Sequence, residues 1–392
     1  MKRIPAIIAA VFIATVSFAQ TSFQGTVSFD RTVHDFGDVL ASDGPLSCSF
    51  RVSNISDRSV SISSVISSCG CTDVKWTTKS LKPGESGVIS AVYSNDEGPY
   101  PFDKTLTAYI EGVSRPIVLH IRGSVHDKAL PLGEAYPVHF GDIALRSAEI
   151  KAGNMSQGEC LSGEFIAANI GKAAATLSFA DIDPDLSFSP SMISIAAGST
   201  ATISFTVRSD RGRWGKNWYY ATPLVGGKSV RSKGKPAEET AAGAESLQTD
   251  PNPLLAEGGT RIGLWAITKE DFSALDKRER REGSNFLCPQ STFQLGQIKS
   301  SRAKGGSRTL TATFEFSNSG RKPLVIHKAD CESARVGMPQ MPGETAPGGT
   351  GTLEFTVDTA GLPKGEVLFL ITLYTNSPQR PMANLFISGF VR

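Results

Sequence analysis

Apolar and polar residues alternate along short stretches of this chain, and the alternation breaks at Asn, Gly, Pro or Ser every eight to twelve residues. Phe50-Arg51-Val52-Ser53-Asn54, Phe165-Ile166-Ala167-Ala168-Asn169 and Phe314-Glu315-Phe316-Ser317-Asn318 are three such runs, each ending at asparagine. A period of two before a turn residue predicts a strand, and helical periodicity is almost absent. Pro83-Gly84-Glu85, Ala197-Gly198-Ser199 and Pro347-Gly348-Gly349 each precede a further strand: Val88 to Tyr93, Thr202 to Val207, and Thr352 to Val357. The offsets from Asn54 to Gly84, Asn169 to Gly198 and Asn318 to Gly348 are 30, 29 and 30 residues. Upstream of them, Phe36-Gly37-Asp38-Val39, Phe140-Gly141-Asp142-Ile143 and Leu295-Gly296-Gln297-Ile298 align as a third landmark.

Three landmarks in constant order predict one unit in three copies. The fold class expected is all-β: tandem immunoglobulin-like β-sandwiches following a cleaved signal peptide. The units are placed at 27–126, 136–272 and 286–392. The second carries an insertion over 229–259, rich in Gly, Pro, Ala, Glu and Ser, which reads as a mobile hairpin tip closed by a last strand over Ile262 to Thr268. The charged run Asp276 to Glu282 reads as a short helical linker with a solvated face.

Lys2 and Arg3 precede an apolar stretch from Ile4 to Phe18, with small residues at Ser17 and Ala19, so residues 1–19 are expected to be a secretory signal peptide. The expected destination is the periplasm or cell surface. No later run has the length of a membrane span; the most apolar, Val367 to Tyr374, is strand-sized. Without Lys2 and Arg3, 38 basic residues face 38 acidic ones, which removes the basic footprint of a nucleic-acid binder.

Export permits disulfides, and six cysteines are present. Cys69-Gly70-Cys71 is the one constellation with chemical potential. Three uses stay open: a structural role, with one thiol bonded elsewhere, as to Cys48, or both packed as small hydrophobes; a reducible redox pair needing a bend at Gly70; or a soft-metal site, as for copper(I). Cys48 alternates with Leu46, Phe50 and Val52 and should face the core. Cys331 aligns with Cys69, and a bond to Cys288 is expected if the first strand of the third unit passes nearby. Outside the first unit, Trp214, Trp218, Tyr219 and Tyr220 are the best candidates for a binding surface, for protein or glycan, with about half expected in the core at strand spacing. Val225-Gly226-Gly227-Lys228-Ser229 imitates a phosphate loop but lacks its first glycine and its helix. Asp181, Asp183 and Asp185 lack the spacing of a calcium loop. No catalytic motif and no cofactor site is indicated.

Phe36-Gly37-Asp38-Val39, Asn54, Ser68-Cys69-Gly70-Cys71-Thr72, Pro83-Gly84-Glu85 and the Leu119 to Gly123 ending together resemble a bacterial domain family of unknown function with the pattern FG, SCGCT, PGE. That family is similar to the Hydin and major-sperm-protein group of immunoglobulin-like domains. The resemblance spans Ser28 to Val125, more weakly Leu287 to Arg392, and faintly Tyr136 to Phe272. It implies a non-enzymatic exported sandwich that scaffolds or binds, with no catalytic residues to carry over. The expected function is therefore an envelope adaptor that binds another envelope protein through open sheet edges. The alternative is a periplasmic thiol-redox or copper-handling protein centred on Cys69 and Cys71.

Overall fold

The computed structural model describes residues 21–23, 25–96, 98–209, 212–233, 259–298 and 309–392. The leader predicted over 1–19 and most of the predicted insertion lie outside these residues. Six sheets pair into three sandwiches, each around its own hydrophobic core. In the first, Thr21–Phe23, Val27–Phe29, Leu46–Asn54, Ser86–Tyr93 and Thr72–Trp76 form one sheet in that order. Val33–Leu40, Ile117–His126, Pro101–Ile110 and Ile62–Ser67 form the other. Alternation sends Phe29, Phe50, Ile89, Leu106, Leu119 and Ile121 into the space between them, where all are buried.

The third sandwich repeats this plan. Phe286–Leu287, Thr309–Asn318, Thr350–Asp358 and Val336–Gly337 face Thr292–Ile298, Met382–Val391, Gly365–Thr375 and Ile326–Cys331. In the second, Val138–Phe140, Ile143–Leu145, Cys160–Asn169, Thr200–Arg208 and Leu186–Ser189 face Glu149–Ser156, Ile262–Lys269, Gly215–Val225, Ala175–Ala180 and Met192–Ile195. Gly215–Val225 pairs antiparallel with Ile262–Lys269, so the last strand of this sandwich does lie beyond the insertion. At its other end Val225 pairs with Lys228 across Gly226-Gly227, both at positive φ. The phosphate-loop imitation is thus a two-residue hairpin turn, which needs left-handed residues.

Each sandwich has one strand that crosses to the second sheet and runs parallel to the final strand, broken by a bulge. The bulges lie between Asp35 and Asp38, Lys151 and Gly153, and Gln294 and Gln297. Gly37 and Gly296 sit in these bulges at φ +74° and +69°, where a side chain would be strained. The counterpart in the second unit is Gly153, not Gly141. Phe140-Gly141-Asp142-Ile143 closes the hairpin between Val138–Phe140 and Ile143–Leu145, corresponding to the hairpin between Thr21–Phe23 and Val27–Phe29. The sequence alignment of that landmark was off by one structural element, because a glycine turn and a glycine bulge share a local pattern.

The asparagine landmark has a common structural cause. Asn54 Nδ2 donates to the carbonyls of Arg58 at 2.7 Å and Leu81 at 2.9 Å, while its Oδ1 accepts from Ser56 N at 2.9 Å. Asn169 repeats this with Ala173, Ile195 and Gly171, and Asn318 with Lys322, Thr345 and Gly320. In each copy the backbone N–H of the landmark glycine, Gly84, Gly198 or Gly348, donates to the asparagine's carbonyl. All three side chains are buried, and each ties two segments about 30 residues apart that the sheet ladder leaves open.

The sandwiches are joined by polar seams. Thr32 N donates to Ser162 O at 2.7 Å, Asp35 N to Glu164 Oε1 at 3.2 Å, and Arg122 Nη2 to Glu164 O at 2.8 Å. His34 Nδ1 lies 2.5 Å from Glu164 Oε1. Between the second and third, Lys216 N donates to Asp330 Oδ2 at 2.6 Å and Lys328 Nζ to Lys216 O at 2.8 Å. The linker between them contains the helix Lys277–Arg281, capped reciprocally by Asp276 and Glu279.

Candidate functional site

Cys69 and Cys71 lie on the turn that carries the chain from strand Ile62–Ser67 of one sheet to strand Thr72–Trp76 of the other. They are bonded to each other, the bend falling at Gly70. Of the three readings the residues left open, the bond to another cysteine is not the one seen. The disulfide also occupies both thiolates, and no group of three or more metal-ligating side chains occurs among the described residues.

Hydrogen bonds that do not involve the sulfurs hold the turn. Ser68 N donates to Thr105 O at 2.9 Å, Thr105 N returns to Ser68 Oγ at 3.0 Å, and Ser94 N donates to Cys71 O at 2.8 Å. Cys71 packs against the core, whereas Gly70 is exposed with nothing within 4 Å of where a Cβ would stand. Thr72 Oγ1 lies 3.5 Å from Cys69 Sγ and 3.9 Å from Cys71 Sγ.

The other four cysteines are free thiols. Cys48 packs against the first core as expected, and its burial pushes the thiol up to about 12. Burial likewise raises Cys160, Cys288 and Cys331. The predicted bond between Cys288 and Cys331 is absent, and the alignment behind it needs correction. From Asn54 and Asn318 onward the two copies match without a gap: the bridge Val60 to Leu81 becomes Leu324 to Thr345. Strand Ile62–Ser67 becomes Ile326–Cys331. Cys331 therefore stands where Ser67 does, and Ser333 and Arg335 occupy the places of Cys69 and Cys71.

The four aromatic candidates separate. Tyr219 is fully buried in the second core and presents no surface, which corrects its place among them. Trp214 stacks on His327 of the third sandwich, ring centroids 3.9 Å apart, and so belongs to the seam. Trp218 and Tyr220 point outward from the same strand with parallel rings. Trp265, which sequence reading missed, is the cross-strand partner of Trp218, and Lys216 lies over both indoles at 5.5 and 4.7 Å. Its signal was its phase, opposite to that of Leu264 and Ala266. Asp183 and Asp185 pair with Arg213, an ion pair rather than a calcium loop.

A further surface lies on the third sandwich. Leu368, Leu370 and Phe390 are each 46–47% exposed on the outer face of the sheet that also carries Phe386. Leu370 pairs with Phe386, and Leu368 with Ser388. In the first sandwich the pairs at the same register are Thr105 with His120 and Asp103 with Arg122. There the face is polar and seats the second sandwich: Asp103 lies 3.7 Å from Lys151 Nζ, and Arg122 Nη1 donates to Lys151 O at 3.3 Å. The sequence signal was the run Val367 to Tyr374, apolar on both faces of a strand.

Residues 27–125 and 288–391, the first and third sandwiches and more than half of the chain, match the family described as Protein of unknown function (DUF1573). The chain belongs to that family. No curated protein matches it. Among solved structures, a protein of unknown function from Porphyromonas gingivalis W83 is similar at 13% identity and TM-score 0.44, over 64% of this chain and 100% of that one. The YadV chaperone is similar at 13% identity and TM-score 0.22, over 63% of this chain and 100% of that one. The secreted serine protease VesC from Vibrio cholerae is similar at 11% identity and TM-score 0.25, over 48% of each chain. Among the described residues no helix is long and apolar enough to cross a membrane.

Proposed function

We propose that this chain is an exported, non-enzymatic protein of the cell envelope that works as an adaptor. Its first two sandwiches form one arm, and the third offers a sheet face to another envelope protein. The observation that carries this reading is the outer face built by Leu368, Leu370, Phe386 and Phe390. The equivalent face of the first sandwich is covered by a neighbouring domain and is polar; here it is apolar and, among the described residues, uncovered. Contiguous exposed apolar residues on a sheet mark an interaction site. The amino-terminal pattern of residues 1–19 supports export.

A photoreactive amino acid at position 370 of the full-length protein, expressed in its own cell, tests this reading. A discrete cross-linked adduct in the envelope fraction is expected, lost when Leu368 is replaced by lysine. No adduct, or an equal one from position 311 on the opposite sheet, refutes it.

A further inference from the structure

The fold makes the turn between Ile62–Ser67 and Thr72–Trp76 a second time without cysteine. In the third sandwich Ser333 and Arg335 stand at the two positions, and the strands Ile326–Cys331 and Val336–Gly337 enter and leave as their counterparts do. A cross-link that one copy of a fold omits is not what the fold depends on. Nor is it placed to stabilise: a disulfide constrains the unfolded chain in proportion to the logarithm of the loop it closes, and this loop contains one intervening residue. The hydrogen bonds of Ser68, Thr105 and Ser94 hold the turn whether or not the sulfurs are joined.

We infer that Cys69 and Cys71 form a reversible thiol–disulfide exchange site on the first sandwich, cycled by a dithiol donor. The site has what exchange needs. A partly buried bond beside an exposed glycine is within reach of an incoming thiolate. Cys69 is the sulfur not packed against the core, so it is the electrophile: a donor thiolate attacks Cys69 Sγ, and Cys71 leaves as a thiolate. The Thr72 hydroxyl lies within hydrogen-bonding reach of both sulfurs and can donate to the thiolate as it forms. The second thiolate of the donor then attacks its own sulfur in the mixed disulfide and releases Cys69. Two electrons and two protons pass to the protein, which becomes a dithiol while the donor becomes a disulfide. Burial raises the remaining four thiols, which makes each a poorer source of thiolate.

The test is equilibration of the purified full-length protein in glutathione buffers of graded ratio, followed by alkylation and mass spectrometry. Cys69 and Cys71 should open together and close again when the ratio is reversed, with an unchanged circular dichroism spectrum and melting profile, while Cys48 stays unmodified until denaturant is added. Cys71→Ser should trap glutathione on Cys69. The Cys69→Ser, Cys71→Ser double variant should fold and melt as the parent does. A pair that resists glutathione, a pair that opens only as the protein unfolds, or a double variant that loses its fold would each overturn the inference and make the bond structural.

Discussion

Replacing Asn54 with alanine probes the device that recurs in all three sandwiches. The substitution takes one donor each from the carbonyls of Leu81 and Arg58, which keep the N–H of Val60 and the hydroxyl of Ser56, and leaves the N–H of Ser56 without its acceptor. Each of the three lost hydrogen bonds costs about 1 kcal/mol, for about 3 kcal/mol in all. At about 4–8 °C per kcal/mol for a domain of this size, the first sandwich should melt about 12–24 °C lower by calorimetry. Asn54→Asp separates hydrogen bonding from size. It keeps the acceptor but turns both donors into a carboxylate facing two carbonyls, so near neutral pH it should cost more than alanine. Some of that loss should return on acidification, as the carboxyl regains a proton to donate. An Asn54→Ala cost below about 1 kcal/mol, or an aspartate variant more stable than the alanine one at neutral pH, would refute the reasoning.

Gly163→Ala would place a Cβ 2.6 Å from Phe205 Cζ and 3.2 Å from Val33 Cβ, where two sandwiches meet. It should cost about 1–3 kcal/mol in urea denaturation, whereas Gly70→Ala, in open space, should change stability by less than about 0.5. Burial raises the Glu164 carboxyl, but the hydrogen bond and charge of His34, with Arg31, outweigh it and hold the group below its ordinary value. Its contribution is therefore full above an unfolded value of about 4.3 and is lost as pH falls through the lower folded value. Glu164→Gln should lower stability near neutral pH and flatten the acid limb of a stability profile; an unchanged limb would exclude this pair as its source. Ser333→Cys with Arg335→Cys should form a second disulfide, seen as the loss of two hydrogens by mass spectrometry, if the gapless equivalence of the first and third turns is right.

Strands, the three asparagine turns and the all-β class were legible in the sequence because they rest on local chemistry. Alternation puts Phe50 and Val52 on one face whatever lies opposite, and only an amide supplies the two donors and one acceptor that Asn54, Asn169 and Asn318 use. The Cys69-Gly70-Cys71 motif was visible too, although its residues could not show that the two sulfurs meet across a turn between sheets. Tertiary structure alone decided the rest. It showed Phe140-Gly141 to be a hairpin and Gly153 the bulge, since both demand a glycine and only strand pairing distinguishes them. It moved Cys331 from the place of Cys69 to that of Ser67, because register is counted along a ladder formed with Thr375 to Ile371. It sent Tyr219 to the core, Trp214 onto His327 and Leu370 to an open face. Sequence determined which residues alternate; what each face meets is set by contacts more than a hundred residues apart, as between Lys216 and Asp330, and no local pattern encodes them.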